Sequence, residues 1–352
     1  MAPETGIGTF AFSLFNEMRK RIEDVGFLYT GYSKIKYSDG TINYDQRFGG
    51  DNFVEKFLIK LSNRSSTRKL DIFKENNFHL CGNDYSFSRY CSNAVATVHD
   101  LYYIQPSLRY WRNPKLFPTQ AAYNFNVMRS VQQIKKISNI TTISEVSGRQ
   151  IKAKTGRSST VIYHWADDTR FFQRNKSAAR RMLGLPMDKK IFLNVSGGGP
   201  NKNLGLLSAF SDDLPEGSIL LKVGYPLSSR RCVNLSNVSA ERYPLLFNAS
   251  DAYVHTSSFE GFGRPLLEAL SSALPIIATD SPSSREILES AAIYFKNNVE
   301  PTELIDMIKG LTTECITDLK IKSLERACFF SRERIIAQYM DFYKRSFSDF
   351  QS

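Results

Sequence analysis

Long apolar runs are missing from this sequence. No stretch approaches the roughly 20 uninterrupted apolar residues a membrane span requires, so no transmembrane helix is predicted. Nor does the opening, MAPETGIGTFAF, carry a basic region backed by a long apolar one, so secretion is not indicated. The five cysteines (Cys81, Cys91, Cys232, Cys315, Cys328) are scattered, odd in number and without a CxxC pair. Metal and disulfide roles are therefore not expected, and buried free thiols in a reducing compartment are. Short repeats and low-complexity tracts are absent. Zinc-finger, basic-zipper and RNP-like patterns are absent as well, which argues against a nucleic-acid partner. The GxxxxGK[ST] spacing of nucleotide triphosphatases does not occur. No Asp-x-Asp metal motif is suitably placed, and the adjacent Asp167-Asp168 reads as a surface turn.

What is present is a basic chain of two-domain length. Its 352 residues exceed what one core usually organises, and 42% hydrophobic with 23% charged residues is ordinary for a globular protein. The formal charge of +11 asks for an anionic partner: nucleic acid, an acidic membrane surface or a phosphorylated small molecule.

The second half alternates strand and helix. KIFLNVS (Lys190 to Ser196), SILLKVG (Ser218 to Gly224), AYVH (Ala252 to His255) and PIIAT (Pro275 to Thr279) read as strands. NLGLLSAF, AERYPLLFNAS and LLEALSSAL read as the helices between them. Apolar strands in βαβα order imply a parallel sheet covered on both faces. The first half is expected to be of the same type, with an amphipathic helix from Gly8 to Asp24 behind a glycine turn and strands at FLYT, AVATVH and ITTIS. Residues 31–83 resist assignment. A boundary is expected near Thr155-Gly156-Arg157, and a last helix from Ser331 to Ser346 carries an aromatic stripe (Tyr339, Phe342, Tyr343) in need of something to pack on.

The stretch FEGFGRPLLEAL, Phe259 to Leu270, sets two glutamates eight positions apart around a glycine turn. Gly261 and Gly263 permit a tight turn, and Pro265 sits where a helix begins. Backbone N–H groups from Phe262 to Leu266 and the helix dipole make an anion site. Glu268 lies one turn inside the helix, leaning back toward its start. Two carboxylates flanking a phosphate-ready turn suit a ligand with hydroxyls on both sides of a diphosphate, as in a nucleotide sugar. Solvated surface glutamates remain an alternative, and so does a glycosidase pair, although the latter normally has no anion site between its carboxylates.

The block FEGFGRPLLEALSSALPIIATDSPSSREIL, Phe259 to Leu288, resembles the Glu-x7-Glu signature of the group-one retaining glycosyltransferases. VNLSNVSAERYPLLFNASDAYVHTSSFEGFG before it and AAIYFKNNVEPTELIDMI after it resemble the family too. So does CFFSRERIIAQYMDFY, with Arg332 where a tryptophan is usual. VSGGGPNKN resembles the glycine turn with its phosphate-binding lysine, ATVHD and ISEVS resemble N-domain elements, and Thr5-Gly6-Ile7-Gly8 resembles the first glycine loop. The resemblance implies a GT-B fold: two Rossmann-like parallel-sheet α/β domains facing a cleft, with the C-terminal helix returning to the N-domain. It divides the chain into 1–157 plus 336–352 on the acceptor side and 158–335 on the donor side. A family strand that precedes the first glycine loop has no counterpart ahead of Gly6.

The site residues follow from the resemblance. Lys202 would neutralise the donor diphosphate, Glu268 would bind the ribose hydroxyls and Glu260 the donor sugar, with His99 facing that sugar across the cleft. Gly6, Gly8, Gly198, Gly261, Phe262, Gly263, Arg264 and Leu266 would line the donor. His79, His164 and His255 are read as structural. The family's arginine, several positions ahead of its lysine, falls at Ser196 here. The implied activity is metal-independent transfer of a hexose, with retention, from a nucleotide-diphosphate sugar to the hydroxyl of a glycan or lipid-linked glycan. Ser281 to Glu286 resembles the serine-rich loop met in mannosyltransferases, which favours mannose. No cofactor beyond the donor is implied. A binding subunit without turnover is the alternative.

FVEKFLIKLSNRSSTRK, Phe53 to Lys69, places Lys56, Lys60, Arg64 and Arg68 at four-residue intervals beside apolar residues. It reads as a basic amphipathic segment, either resting on an anionic membrane or forming an ordinary surface helix. The expected location is cytoplasmic, with peripheral attachment to the inner membrane face under the first of those readings.

Overall fold

The computed structural model describes residues 6–22, 25–31, 34–37, 40–43, 56–61, 74, 76–81, 85, 88, 91–99, 131–348 and 350. The chain forms two compact units, Met1–His164 with Ile335–Ser352, and Trp165–Arg334.

The first unit opens with helix α1 (Gly6–Met18). Phe10, Leu14 and Met18 recur at four-residue steps with Ala11 and Phe15 beside them, and all five are buried. Gly6 and Gly8 lie within this helix, not in a turn ahead of it as expected. Glycine costs a helix about 1 kcal/mol relative to alanine, a cost that burial of the apolar stripe outweighs.

The strands of this unit are β1 (Val25–Gly31), β2 (Lys34–Tyr37), β3 (Gly40–Asn43), β4 (Lys56–Leu61), β5 (Asn77–Leu80), β6 (Asn93–Val98), β7 (Asn139–Thr142) and β8 (Thr160–Val161). They form one sheet in the order β3-β2-β1-β4-β5-β6-β7-β8. Only β5 to β8 are parallel to one another. The pairs β2–β3, β1–β2, β1–β4 and β4–β5 are antiparallel. The expected second parallel sheet is thus the four strands β5 to β8, which antiparallel strands extend on one side. Lys56 and Lys60 lie on β4 and not on a helix; the remainder of 53–69 falls outside the described residues.

Helix α2 (Glu145–Thr155) starts at Ser144, whose hydroxyl accepts the Ser147 amide, and stops at Gly156 with φ 73°. Because β8 then joins the first sheet, the division between units falls after His164, beyond the expected boundary near Gly156.

The second unit holds helix α3 (Lys176–Leu183), β9 (Lys190–Ser196), a 3-10 turn (Pro200–Lys202), α4 (Leu204–Asp213), β10 (Ser218–Gly224), β11 (Cys232–Leu235), α5 (Tyr243–Ala249) and β12 (Ala252–His255). It continues through α6 (Arg264–Ser271), β13 (Ile276–Thr279), α7 (Pro282–Leu288), β14 (Ala292–Phe295), α8 (Pro301–Lys309) and α9 (Thr313–Phe329). Its six strands run in the order β11-β10-β9-β12-β13-β14, every pair parallel. One face buries Phe192, Leu220, Val254 and Ile277 against Leu207 and Phe210 of α4 and Leu304 and Ile305 of α8. Strand order reverses between β9 and β12. In open parallel sheets that reversal leaves a crevice at the carboxyl ends of the two strands, where ligands bind.

Helix α10 (Arg332–Ser346) begins in the second unit and belongs to the first from Ile335 onward. Tyr339, Phe342 and Tyr343 are buried there, so the aromatic stripe has its partner. The Tyr343 hydroxyl lies 2.6 Å from His79 Nδ1, and Thr97 Oγ1 lies 2.7 Å from His79 Nε2. All five cysteines are free, but only Cys81 is fully buried and Cys328 is exposed, so the expectation of buried thiols holds for one of them.

Candidate functional site

The loops after β9 and β12 flank the reversal point, and the sequence-selected residues sit on them. Beyond β9, the Lys202 amide donates to the Gly199 carbonyl to close the 3-10 turn. Asn201 then stitches this turn to the second loop: its side-chain amide donates to the Phe259 carbonyl at 2.7 Å, and its own carbonyl accepts the Ser258 amide at 2.8 Å. The Thr256 hydroxyl donates to the Lys202 carbonyl at 2.8 Å. With both loops anchored, Lys202 Nζ reaches Glu260 Oε1 at 2.5 Å, and the two side chains keep 19% and 17% of their exposure. Such a pair is sheltered but open to a ligand.

Gly198 is required by a close approach. A Cβ there would meet the Tyr225 ring at 2.5 Å, and Tyr225 is itself 56% exposed beside the turn. Gly263 is required by its backbone: φ 90° places it in the left-handed region as the residue capping α6.

Past Gly263, Pro265 occupies the first turn of α6 as expected. The Leu266 amide is engaged with the Gly263 carbonyl at 2.9 Å. Of the amides around Phe262 to Leu266 expected to face an anion, that of Leu266 is thus already engaged. Gly261 and Phe262 are buried, and the Phe262 ring meets Phe330 edge-on at 5.9 Å.

Glu268 is 8% exposed, and its Oε2 accepts the Tyr243 hydroxyl at 2.7 Å. Burial raises its carboxyl above the ordinary range, while Arg264, the Tyr243 hydrogen bond and Arg170 oppose that shift. Burial, followed by the Glu268 charge, pushes the Tyr243 phenol up. Neither glutamate is a solvated surface side chain, so that alternative is set aside. Tyr243 and Asn201 carried no signal in the sequence, since a tyrosine in a helix and an asparagine in a loop are common in any context.

His99 directly follows β6 in the first unit. It is 3% exposed, its Nε2 donates to the Cys81 carbonyl at 3.2 Å, and its ring packs near Phe10 and His164. His255 stacks on Tyr253, and its Nε2 is buried with no hydrogen-bond partner among the described residues. The serines expected in a donor-selective loop are engaged in capping. Ser281 Oγ accepts the Ser284 amide and also bonds the Ser283 and Ser284 hydroxyls. Asp167, read as a turn residue, accepts from the Thr169 amide and hydroxyl, and Asp168 pairs with Arg332 at 3.2 Å. Among the described residues, no group of three or more His, Cys, Asp or Glu side chains is arranged to hold a metal, and no helix is long and apolar enough to cross a membrane.

Residues 229–322, which contain both glutamates, match the family model described as glycosyl transferases group 1. The O-antigen chain mannosyltransferase RfbU of Salmonella typhimurium is 24% identical over 217 residues, 57% of this chain and 56% of that protein. The chain thus spans little more than half the length of that relative. The O-antigen chain mannosyltransferase B of Escherichia coli is 28% identical over 111 residues, 31% of this chain and 29% of the other. Among solved structures, Anabaena HepE in complex with UDP-glucose superposes with a TM-score of 0.61 at 19% identity, covering 74% of this chain and 75% of that one. At that identity the likeness shows the fold. Residues 229–322 therefore carry the group 1 glycosyltransferase match, and the chain as a whole has the GT-B fold.

Proposed function

We propose that this protein transfers a hexose, with retention at the anomeric carbon, from a nucleotide-diphosphate sugar to a hydroxyl of a glycan or lipid-linked glycan. One observation carries the reading: Lys202 and Glu260 meet at the reversal point of a parallel sheet, with the buried Glu268 one helix turn beyond. Lys202 neutralises the diphosphate as the nucleotide leaves, a preorganised charge that needs no rearrangement during the reaction. Glu260 accepts from hydroxyls of the donor sugar, and Glu268, already holding Tyr243, accepts from the ribose. The turn amides of Gly261 to Gly263 share the sugar and phosphate contacts. The acceptor hydroxyl attacks from the face the nucleotide leaves, passing its proton to the departing phosphate. Because Lys202 supplies the cation, the proposal includes no metal, and activity is expected to survive EDTA.

Mannose is the first donor to try, since O-antigen mannosyltransferases recur among the relatives. A panel of nucleotide sugars screened by thermal shift identifies the donor, because a ligand bound only by the folded state raises its melting temperature. Release of nucleoside diphosphate with the selected donor then reports turnover, expected to fall in Glu260→Ala and Lys202→Ala. A panel that shifts no melting temperature overturns the reading. Binding without turnover in the presence of candidate acceptors leaves a nucleotide-sugar-binding subunit.

A further inference from the structure

Lys222 is the only charged residue in SILLKVG and is 1% exposed in the interior of β10. In register it stands beside Asn194 of β9 and Asn234 of β11. Two residues earlier the same row is apolar, with Leu220 beside Phe192, and it packs under α4. The row therefore turns polar only at its carboxyl end, the end that carries the glycine turn.

The ammonium donates to the Ser196 carbonyl at 2.6 Å and to the Val223 carbonyl at 2.8 Å. Ser196 is the last residue before the glycine turn, and its carbonyl also accepts the Tyr225 amide at 3.0 Å. Among the described residues no carboxylate pairs with Lys222, in contrast to Lys202, which has Glu260. A buried charge held by carbonyls alone is costly, and such a group is stabilised when an anion arrives.

We infer that Lys222 is a positioning residue for the donor diphosphate: it fixes the glycine turn through the Ser196 carbonyl and adds a second positive charge beneath it. This rests on the proposed use of the site for a nucleotide-diphosphate sugar. Burial brings the ammonium down to about 8, with Cys232 on β11 acting to raise it and Lys202 on the 3-10 turn to lower it. Among the described residues these two are the titratable groups that act on it. Bound diphosphate favours the charged form, so affinity is full below pH 8 and declines above it, by at most about tenfold per pH unit.

The test is calorimetric titration of UDP and GDP, with uridine and guanosine as phosphate-free controls, from pH 7 to 9.5. Lys222→Met keeps the stem and removes the charge. The expected result is diphosphate affinity lowered roughly tenfold at pH 7, loss of the decline above pH 8, and unchanged nucleoside affinity. Equal diphosphate affinity and an equal pH profile in wild type and Lys222→Met overturn the inference. Should that variant fail to fold, the wild-type profile decides, and a flat diphosphate affinity from pH 7 to 9.5 overturns it. Wild type that binds neither UDP nor GDP contradicts the proposed function instead, so the two failures are distinguishable.

Discussion

Lys202 and Glu260 stand 58 residues apart in sequence and 2.5 Å apart in space, on the two loops that leave β9 and β12. In the ligand-free protein each satisfies the other, so a donor must engage both without leaving either charge alone. Lys202→Ala is expected to lower affinity for nucleoside diphosphate by roughly tenfold to a hundredfold, the range for a lost charge-assisted bond. Glu260→Ala is expected not to weaken binding of the sugar-free diphosphate, because it releases Lys202 from its partner, while turnover falls about a hundredfold or more. Titration calorimetry beside a product-release assay separates the two effects. Parallel loss of diphosphate affinity in both variants would contradict the assigned roles.

Glu268 presents the opposite balance. Its burial raises the carboxyl pKa, so the ionised form is disfavoured in the folded state. A carboxyl raised on folding favours the native state most at low pH and loses that contribution as pH rises through the folded value. Glu268→Gln removes the buried charge and can still accept from Tyr243. The variant should therefore melt higher than wild type at pH 7, by a margin that narrows on acidification, and bind nucleotide more weakly. A lower melting temperature at pH 7 would mean that the hydrogen bond outweighs desolvation.

His79 sets an acid limit on the first unit. Burial first, and then the His99 charge, hold its imidazole down to about 3, against an ordinary value of 6.5. Above pH 6.5 neither state is protonated and nothing is lost. As pH falls below that value the unfolded chain takes up a proton that the folded ring refuses until about pH 3, so stability drains across this window. At pH 5 the loss is about 2 kcal/mol. Urea melts at pH 7 and pH 5 should show it, and His79→Gln, which can still bond Tyr343 and Thr97, should show a smaller difference. An equal difference in the variant would assign the acid sensitivity elsewhere.

Asp251 anchors the amino ends of β9 and β12, the two central strands of the second sheet. It accepts from the buried Arg180 at 2.7 Å, from Lys176 at 2.6 Å and from the Ile191 amide at 2.7 Å. Arg180 is 4% exposed and otherwise faces only carbonyls. Asp251→Ala leaves that guanidinium without its carboxylate, at a cost of about 3 kcal/mol in denaturant melts. A change below about 1 kcal/mol would show that the carbonyls alone hold the guanidinium.

The second unit was legible from its residues because strands buried on both faces write themselves as unbroken apolar runs. KIFLNVS and SILLKVG match β9 and β10 end to end. The first unit was legible in part: FLYT, AVATVH and ITTIS coincide with β1, β6 and β7, and the opening helix with α1, while the rest was hidden for a reason visible in KFLIKL. A spacing of four between lysines suits a helix of 3.6 residues per turn, yet four is also a multiple of the strand period of two, and here the strand prevailed. Antiparallel strands as short as KIKY and GTIN offer too few positions to fix a period. At the site, the glutamates and Lys202 were marked by glycines and spacing. The bonds that hold them, from Tyr243, Asn201 and Thr256, join residues distant in sequence and leave no local pattern. In the Ser281 to Ser284 run, the first serine also starts a helix, by capping α7.

The stripe on α10 has a consequence for how the protein is made. Tyr339 and Tyr343 complete the surroundings of His79 and, through Tyr339, of Phe10, although more than two hundred residues are translated between them. A nascent chain emerging from the ribosome must therefore carry its first sheet with that flank uncovered while the entire second unit is synthesised and folds. Chaperone dependence during translation, and poor recovery of any product cut short before Ile335, follow from that order of events.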